Sequence, residues 1–361
     1  MKLRRKEPQT AGSSKNHRFK PTKKQAMLAL SLILVTSFFT YFVLVRESKP
    51  IDVLISSTTK RIKDEPAQKV YSPLTGAEVT DEQASRPLTA LMIENSVDAR
   101  PQSGLNQAGI VFEAIAEGGI TRFATIYQEN TPNEIGPVRS LRPYYLDWLR
   151  PYNPTVAHVG GSKRALSLVR DGTWRDMDQF ANGKSFWRST ERKAPHNVYT
   201  KFENIDKFND SKGYKLEQFP TFTRKDDQKA TASTASEIKL NISSKLYNSV
   251  FTYNPTNNSY LRAQGGAPHL DKSGAQLEPK VVVAMIIPSK IVQEDGSRYS
   301  YGTIGSGEAV VFQDGIATPG TWTKADQKSQ ISLKDAAGQE FKLNRGQTWF
   351  TILSSRDKLI Y

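Results

Sequence analysis

An uninterrupted apolar run lies near the amino terminus of the chain. Residues 26–45, AMLALSLILVTSFFTYFVLV, contain no charged side chain. At about 1.5 Å per helical residue, a run of this length crosses a hydrocarbon core of roughly 30 Å. The run therefore predicts a transmembrane helix. A cleaved signal peptide is the alternative, but its apolar region is typically shorter and ends at small residues, whereas Arg46 and Glu47 follow here.

Short apolar segments dominate residues 71–225. Residues 88–95, LTALMIEN, predict a buried strand, and residues 109–129 predict a hairpin that turns at Gly118 and Gly119. Strand patterns and helix patterns then alternate along the chain. This alternation favours a mixed-sheet α/β domain.

Two strand–turn–helix units follow one another inside this domain. After Pro143 the sequence YYLDWLR predicts a short helix that ends before Pro151. Residues 155–161, TVAHVGG, predict a strand, and the next helix is expected to have Ser162 as its N-cap and Gly172 as its C-cap. If the two strands are parallel neighbours, both helix entries lie at the edge of the sheet where open α/β sheets bind ligands.

The pattern changes after residue 225. Residues 226–240 are small and polar and predict a linker. Short strands separated by glycine-containing turns then predict a smaller, mostly-β domain, either a sandwich or a barrel. The predicted parts are a basic arm, a transmembrane helix, a stalk, an α/β domain, a linker and a mostly-β domain, at residues 1–25, 26–45, 46–70, 71–225, 226–240 and 241–361.

Most of the positive charge is concentrated before the apolar run. The net charge is +14, and residues 1–24 supply +8 of it through nine Lys or Arg against Glu7. The remaining charge is spread over more than 300 residues, which argues against a nucleic-acid partner. Positive residues on one side of a membrane segment mark the cytoplasmic side. We therefore expect the amino terminus in the cytoplasm and the C-terminal domains outside.

Candidate chemistry concentrates at the two predicted helix entries. Arginine side chains bind phosphate or carboxylate oxygens in pairs, and the first turn of a helix offers unpaired N–H groups. These features predict an anion-binding site. Its candidate residues lie in three short segments and are Arg139, Ser140, Arg142, His158, Gly160, Gly161, Ser162, His196 and Asn197.

Each candidate also has a purely structural interpretation. The two arginines can form ordinary salt bridges with acids of the same region, namely Glu113, Glu117 or Asp147. His158 lies in an apolar strand, which is typical of a hydrogen-bonded core histidine. The aromatic side chains beside the arginines suit helix packing, or contact with sugar rings.

No catalytic signature is complete in this sequence. The chain has no GxxxxGK[ST], HExxH or GxSxG motif and no cysteine, so neither a metal site nor a cofactor is predicted. His196 is a candidate general acid or base. Ser140 and Ser162 are candidate nucleophiles, but neither has a partner base that can be read from the sequence.

Many separate motifs resemble the pattern of the YerB-like family of bacterial envelope proteins. They occur in the family's order and are PLTG (73–76), RPLTALMIEN (86–95), EGGITRF (117–123), IGPVRSLRPYYLDW (135–148), HVGGS (158–162), APHNVY (194–199), DGIATPGTW (314–322) and GQTWFTIL (346–353). The resemblance implies a two-part domain of unknown function outside the cytoplasmic membrane, often attached as a lipoprotein. This chain has no cysteine to carry a lipid, so we expect the apolar helix to replace the lipid anchor.

Together these observations predict a single-pass protein of the cytoplasmic membrane with its folded domains in the cell envelope. We expect the domains to bind an anionic envelope component, such as a cell-wall polymer, or an envelope-assembly protein. The alternative is a hydrolase or transferase that acts on a phosphate-bearing cell-wall glycopolymer.

Overall fold

The computed structural model describes residues 22–24, 27, 35–38, 40–41, 69–293 and 297–361. Most of the predicted transmembrane segment, and the predicted stalk as far as residue 68, lie outside these residues. None of the helices formed by the described residues has the length and hydropathy needed to cross a bilayer. The chain divides into two compact units at residue 67, and the folded region is the second unit.

Helices are few and short in the folded region. The α-helices of its described part are α1 Asp81–Ala84, α2 Pro143–Leu149, α3 Lys163–Val169 and α4 Phe202–Lys212. The strands of the first half of the sequence are β1 Val70–Tyr71, β2 Glu78–Val79, β3 Thr89–Glu94, β4 Ile110–Glu117, β5 Ile120–Tyr127, β6 Thr155–His158, β7 Arg175–Asp178, β8 Trp187–Arg188, β9 Val198–Tyr199 and β10 Arg224–Lys225.

Strands are the main elements of the second half. They are β11 Glu237–Leu240, β12 Ser249–Asn254, β13 Ser259–Gln264, β14 Ala267–Pro268, β15 Val281–Ile286, β16 Ser289–Gln293, β17 Ser297–Tyr301, β18 Gly305–Gln313, β19 Ile316–Lys324, β20 Ser332–Asp335, β21 Leu343–Asn344, β22 Thr348–Leu353 and β23 Leu359–Ile360. The mostly-β character predicted for this region is confirmed.

A large sheet contains strands from both halves of the sequence. Its ten strands follow the order β20-β19-β18-β15-β22-β4-β5-β3-β6-β7. β22 is parallel to β15 and to β4, and β6 is parallel to β3 and to β7. The other neighbours are antiparallel. The predicted mixed sheet is therefore confirmed.

Both faces of the central part of this sheet are covered, as the almost continuously apolar sequences of β3, β4, β15 and β22 require. Along β4, Phe112 and Ala114 pack in one core while Val111 and Ile115 pack in the other, because successive side chains of a strand alternate between faces. The first core includes α2 and α3. The second includes α4 and a five-stranded sheet of order β14-β13-β12-β11-β23. The C-terminal strands thus contribute to two packed layers.

Several local predictions are confirmed. β4 and β5 form an antiparallel hairpin that turns at Gly118 and Gly119, whose positive φ angles of 55° and 78° suit glycine. α2 begins at Pro143. Ser162 is the N-cap of α3 and accepts a hydrogen bond from Ala165 N at 3.4 Å.

The predicted end of α3 is wrong. The helix ends at Val169, and its C-cap is Arg170 rather than Gly172. The Asp171 carboxylate accepts hydrogen bonds from the backbone N–H of Thr173 at 2.8 Å and from its hydroxyl at 2.7 Å. This local turn competes with a further helical turn and ends the helix early.

The strands before α2 and α3 are not parallel neighbours, so that condition for a shared sheet edge is not met. β5 precedes α2 and β6 precedes α3, but β3 lies between them. β5 is antiparallel to β3, whereas β6 is parallel to it. The hairpin fixes the direction of β5, so the chain leaves β5 at the edge of the sheet opposite to the one where β6 ends. The chain must therefore cross back to that edge before α2 begins.

β22 joins the two halves of the sequence within one sheet. It lies between β15 and β4, and Phe350 of β22 pairs with Phe112 of β4. The rings of these two residues stack with their centroids 4.8 Å apart. Residues 226–236, in the predicted linker, contain no helix or strand.

Candidate functional site

Residues 135–142 form an extended loop along the carboxyl ends of β3 and β6. Backbone hydrogen bonds hold the loop in place: Arg139 N donates to Met92 O at 2.8 Å, and Leu141 N donates to Gly160 O at 3.0 Å. The loop therefore brings the start of α2 to the edge of the sheet where β6 ends. Although the strands are not parallel neighbours, the two helix entries still meet.

The glycine pair at the end of β6 gives the loop room to pass. Gly160 has a φ of 58°, a backbone conformation that favours glycine. A Cβ on Gly161 would lie 3.1 Å from Leu141 O, which is tighter than an ordinary contact. We infer that glycine is needed at these two positions because the loop at residues 135–142 passes close to the backbone there.

Glu117, Arg122 and Arg142 form an ion-pair group at the end of the β4–β5 hairpin. The Glu117 carboxylate accepts a hydrogen bond from Arg122 at 3.1 Å and another from Arg142. Arg122 also donates to Ser140 O at 2.8 Å, and Arg142 donates to Leu141 O at 2.7 Å. Burial alone would raise the pKa of Glu117, but the two guanidinium groups lower it to about 2. Arg142 is thus a salt-bridged arginine.

A second polar group lies at the end of β3, where the buried Glu94 meets Arg139 and His196. Arg139 Nε is 3.2 Å from Glu94 Oε1, and His196 Nδ1 is 3.0 Å from the same oxygen. His196 Nδ1 is also 3.2 Å from Ser96 Oγ. Within the described part of the chain, His196 Nε2 has no hydrogen bond. A histidine held by a carboxylate at Nδ1 can accept a proton at Nε2.

His158 and Asn197 hold the surrounding loops. His158 is fully buried, with Nδ1 2.8 Å from Gly160 O and Nε2 2.9 Å from Asp176 Oδ1. Asn197 accepts a hydrogen bond from Arg188 at 2.8 Å, and its amide donates to backbone carbonyls of its own loop. Both side chains therefore have partners within the fold.

A small cavity opens between α2, α3 and the β16–β17 hairpin, and we name it the arginine cavity. Its volume is about 60 Å³, the space of a few water molecules or of one phosphate or carboxylate group. Three arginines and one aspartate contribute to its lining, together with hydroxyl groups. The principal lining residues are Arg142, Asp147, Ser162, Arg164, Arg298 and Tyr299.

The predicted site residues do not form a single site. Arg142 and Ser162 line the arginine cavity, whereas Arg139 and His196 contact Glu94. α2 and α3 have only seven residues each, so the guanidinium groups, rather than the helix ends, supply the positive charge of the cavity.

The sequence interpretation missed three residues that shape these places. Glu94 has a recognisable signal, because it is a carboxylate at the end of an otherwise apolar strand. Arg164 lies two residues after Ser162, in the predicted helix entry, so the sequence does carry a signal for it. Arg298 belongs to a hairpin far along the chain, and no local pattern connects it with the helix entries.

Two family profiles match this chain. The profile described as "Protein of unknown function (DUF3048) N-terminal domain" matches residues 74–215, and that of the corresponding C-terminal domain matches residues 238–350. The two-part organisation of the family therefore covers most of the folded region.

A relative of known name and a solved structure agree with these matches. The protein named "Putative lipoprotein YerB" of Bacillus subtilis (strain 168) is 30% identical over 311 residues, which cover 84% of this chain and 92% of that protein. The crystal structure of the YerB protein from Bacillus subtilis matches with a TM-score of 0.74 and 28% identity, covering 81% of this chain and 99% of that chain. The resemblance carried by the sequence motifs is confirmed, and the chain belongs to the DUF3048 family, which also includes YerB.

Proposed function

We propose that this chain is a cell-envelope protein held at the cytoplasmic membrane, and that its folded region binds an anionic envelope polymer. Its relative in Bacillus subtilis carries the name of a lipoprotein, a class that is attached to membranes through a lipid on cysteine. This chain has no cysteine, and the apolar run at residues 26–45 is suited to anchor it instead. The basic arm before the run favours a cytoplasmic amino terminus and an external folded region.

The charge of the arginine cavity carries the proposal for an anionic ligand. Arg142, Arg164 and Arg298 come from three separate elements and line one small space with Asp147. Guanidinium groups bind phosphate and carboxylate oxygens through paired hydrogen bonds. Because the cavity is small, it suits a single charged group that projects from a larger ligand. A polymer with a charge on each repeating unit presents such groups.

A binding experiment with two polymers tests this proposal. Full-length protein in detergent micelles is titrated with a poly(glycerol phosphate) oligomer and with polygalacturonate, which carry phosphate and carboxylate groups respectively. We expect binding that weakens with salt. The double variant R164Q/R298Q is expected to bind about tenfold or more weakly, because both substitutions remove a guanidinium group from the lining.

Arg356 provides a matched control, because its guanidinium is partly exposed and pairs with Glu308 outside the cavity. R356Q should bind the polymers as the parent protein does. Unchanged binding in a folded R164Q/R298Q protein would show that the cavity is not the site. Failure of both polymers to bind the parent protein would refute the proposal and favour an envelope-assembly protein as the partner.

The contact between Glu94 and His196 favours a second candidate function, hydrolysis or transfer on a phosphate-bearing glycopolymer. With Nδ1 held by the carboxylate, His196 could act as general base through Nε2. Ser96 contacts Nδ1 rather than Nε2, so this geometry does not make it the nucleophile. Shortened polymer or free phosphate in the titration mixture, lost in H196A, would support catalysis. Polymer that stays intact with the parent protein would exclude it for that substrate.

Membrane topology is tested separately from the ligand. A carboxyl-terminal alkaline phosphatase fusion, which is active only outside the cytoplasm, should be active in cells. A fusion that is inactive although the protein is present in the membrane fraction would overturn the proposed orientation.

A further inference from the structure

A second and larger cavity lies apart from the arginine cavity and shares none of its lining residues. Its volume is about 350 Å³, within the range of small-molecule sites. It lies between the segment after β3 and the turn from β13 into β14. We name it the Arg100 cavity, and its principal lining residues are Arg100, Pro101, Gln264, Ala267, Pro268 and Leu270.

Arg100 is a half-buried cation whose hydrogen-bond partners are all neutral. Its Nε donates to Asn95 Oδ1 at 3.2 Å, and its Nη2 donates to the carbonyls of Asn95 and Leu246 at 3.0 and 2.9 Å. The guanidinium also lies over the ring of Tyr247, 5.2 Å from its centroid. Within residues 69–293 and 297–361, no carboxylate forms an ion pair with it. The group is therefore fixed in position, and no acid of these residues lies within ion-pair distance of it, although the more distant Glu113 acts to raise its pKa.

Arg262, unlike Arg100, has a carboxylate partner. Arg262 is fully buried and makes two hydrogen bonds to the Glu113 carboxylate, at 3.0 and 2.9 Å. Burial, and then the charge of Arg262, lower the pKa of Arg100. A bound anion would offset both of these effects, since it would give Arg100 the counter-charge that Glu113 gives Arg262.

One nitrogen of Arg100 remains available at the cavity. Its Nη1 makes no hydrogen bond to the described residues. Gly265 lies beside it, and a Cβ at that position would be 3.6 Å from Nη1. Because glycine has no side chain, the approach to this nitrogen stays open.

Gln264 supplies a second donor in the same wall. Its Oε1 accepts a hydrogen bond from Arg262 at 2.9 Å, which fixes the orientation of the amide. Its Nε2 is buried and has no hydrogen-bond partner within the described part of the chain. A buried donor without a partner is costly, so a ligand that accepts from Nε2 is favoured.

His269 also lines the cavity but adds no charge. Its Nε2 donates to Gln102 Oε1 at 2.7 Å, and its Nδ1 is left to accept from Arg262. Burial, with the charge of Arg262, lowers the pKa of His269 well below its ordinary value. The imidazole is therefore neutral, and Arg100 is the charged group of this site.

The rest of the lining determines the kind of molecule that would fit. Pro101, Ala267, Pro268 and Leu270 present apolar surface, and Leu270 is 40% exposed at the mouth of the cavity. An acid with a short aliphatic body matches this combination of one cation, one amide donor and apolar walls. A peptide carboxyl terminus with small side chains has that chemistry.

We propose that the Arg100 cavity binds the terminal carboxylate of a short peptide with small apolar side chains. In this arrangement the carboxylate faces Arg100 and Gln264, and the aliphatic part contacts the proline-rich walls. The inference stands on its own residues and does not depend on polymer binding at the arginine cavity.

Calorimetric titration of the full-length protein in detergent tests the proposal. The probes are N-acetyl-alanyl-alanine and its carboxyl-terminal amide, which differ only in the charged group. We expect the acid to bind about tenfold or more tightly than the amide. R100Q should reduce binding of the acid to the level of the amide, and R356Q should leave it unchanged.

Loss of the Arg100 hydrogen bonds could unfold the protein, so a second variant keeps Arg100 intact. Ala267 is exposed at the cavity, and A267D adds a negative charge there. A267D is expected to weaken binding of the acid about tenfold but not binding of the amide. R164Q/R298Q should bind the acid as the parent protein does, so failure of one site can be told from failure of the other. Equal affinity for acid and amide, no binding of either probe, or unchanged binding in both R100Q and A267D would overturn the proposal.

Discussion

The ion-pair group at the end of the β4–β5 hairpin makes a quantitative prediction. Glu117 lies between Arg122 and Arg142, and its side chain is 29% exposed. The substitution E117Q keeps the shape of the side chain but removes its charge. Both guanidinium groups would then be left in a largely buried place without their carboxylate, which is destabilising.

The size of the effect follows from the pKa of Glu117. The difference between the ordinary value of 4.5 and about 2 in the folded protein corresponds to about 3 kcal/mol at pH 7. A carboxyl group whose pKa is lowered by folding stabilises the protein above its unfolded pKa, and this contribution is lost as the pH falls toward the folded value. At pH 3 only about 1.4 kcal/mol of it should remain.

Urea unfolding of the full-length protein in detergent, followed by tryptophan fluorescence, measures this contribution. The free energy of unfolding of E117Q should be about 3 kcal/mol lower than that of the parent protein at pH 7, with a smaller difference at pH 3. The matched control is E203Q. The pKa of Glu203 is also lowered to about 2, by Lys201 and Lys207, but Glu203 is exposed and solvent screens its interactions. A difference for E117Q that stays constant from pH 7 to pH 3, or an equal loss in E203Q, would show that the charge of Glu117 does not stabilise the fold in this way.

Two further predictions concern buried parts of the fold. E113Q and R262M should each lower the free energy of unfolding by about 3–5 kcal/mol, because each leaves the other charge buried and unpaired. The double variant should lose less than the sum of the two, since the second substitution removes that unpaired charge. A double-mutant cycle measures the difference, and strictly additive losses would contradict the prediction. G320A should lower the melting temperature strongly, because a Cβ there would lie 2.2 Å from the backbone oxygen of Lys334 in the neighbouring strand, whereas G183A, with no atom within 4 Å of the new Cβ, should change it little.

The parts of the fold that could be predicted from the sequence are those with local causes. The hairpin at Gly118 and Gly119 follows from two glycines between apolar strands, and the start of α3 follows from the side chain of Ser162. The pairing of β22 with β4 has no local cause, because it joins Phe350 to Phe112 across most of the chain. Periodicity predicts which segments form strands, but it does not predict which strands become neighbours.

The candidate sites show the same limit. The sequence offered Glu117 as a possible salt-bridge partner of the two arginines, and Arg142 pairs with it. It did not indicate Glu94, the partner of Arg139, because no local pattern connects β3 with the loop that carries Arg139. The Arg100 cavity was not predicted at all. Its charge is notable only because no carboxylate of the described residues pairs with Arg100, and this is a property of the folded structure rather than of the local sequence.

The central place of β22 has a consequence for how the protein can be made. Its residues, Thr348–Leu353, are synthesised long after β4, yet they pair with that strand in the middle of the sheet. Until they arrive, β4 keeps one unpaired edge, which is a template for unwanted strand pairing between chains. Completion of the sheet must therefore wait until β22 has been synthesised, so the pairing of β22 with β4 is a late step of folding.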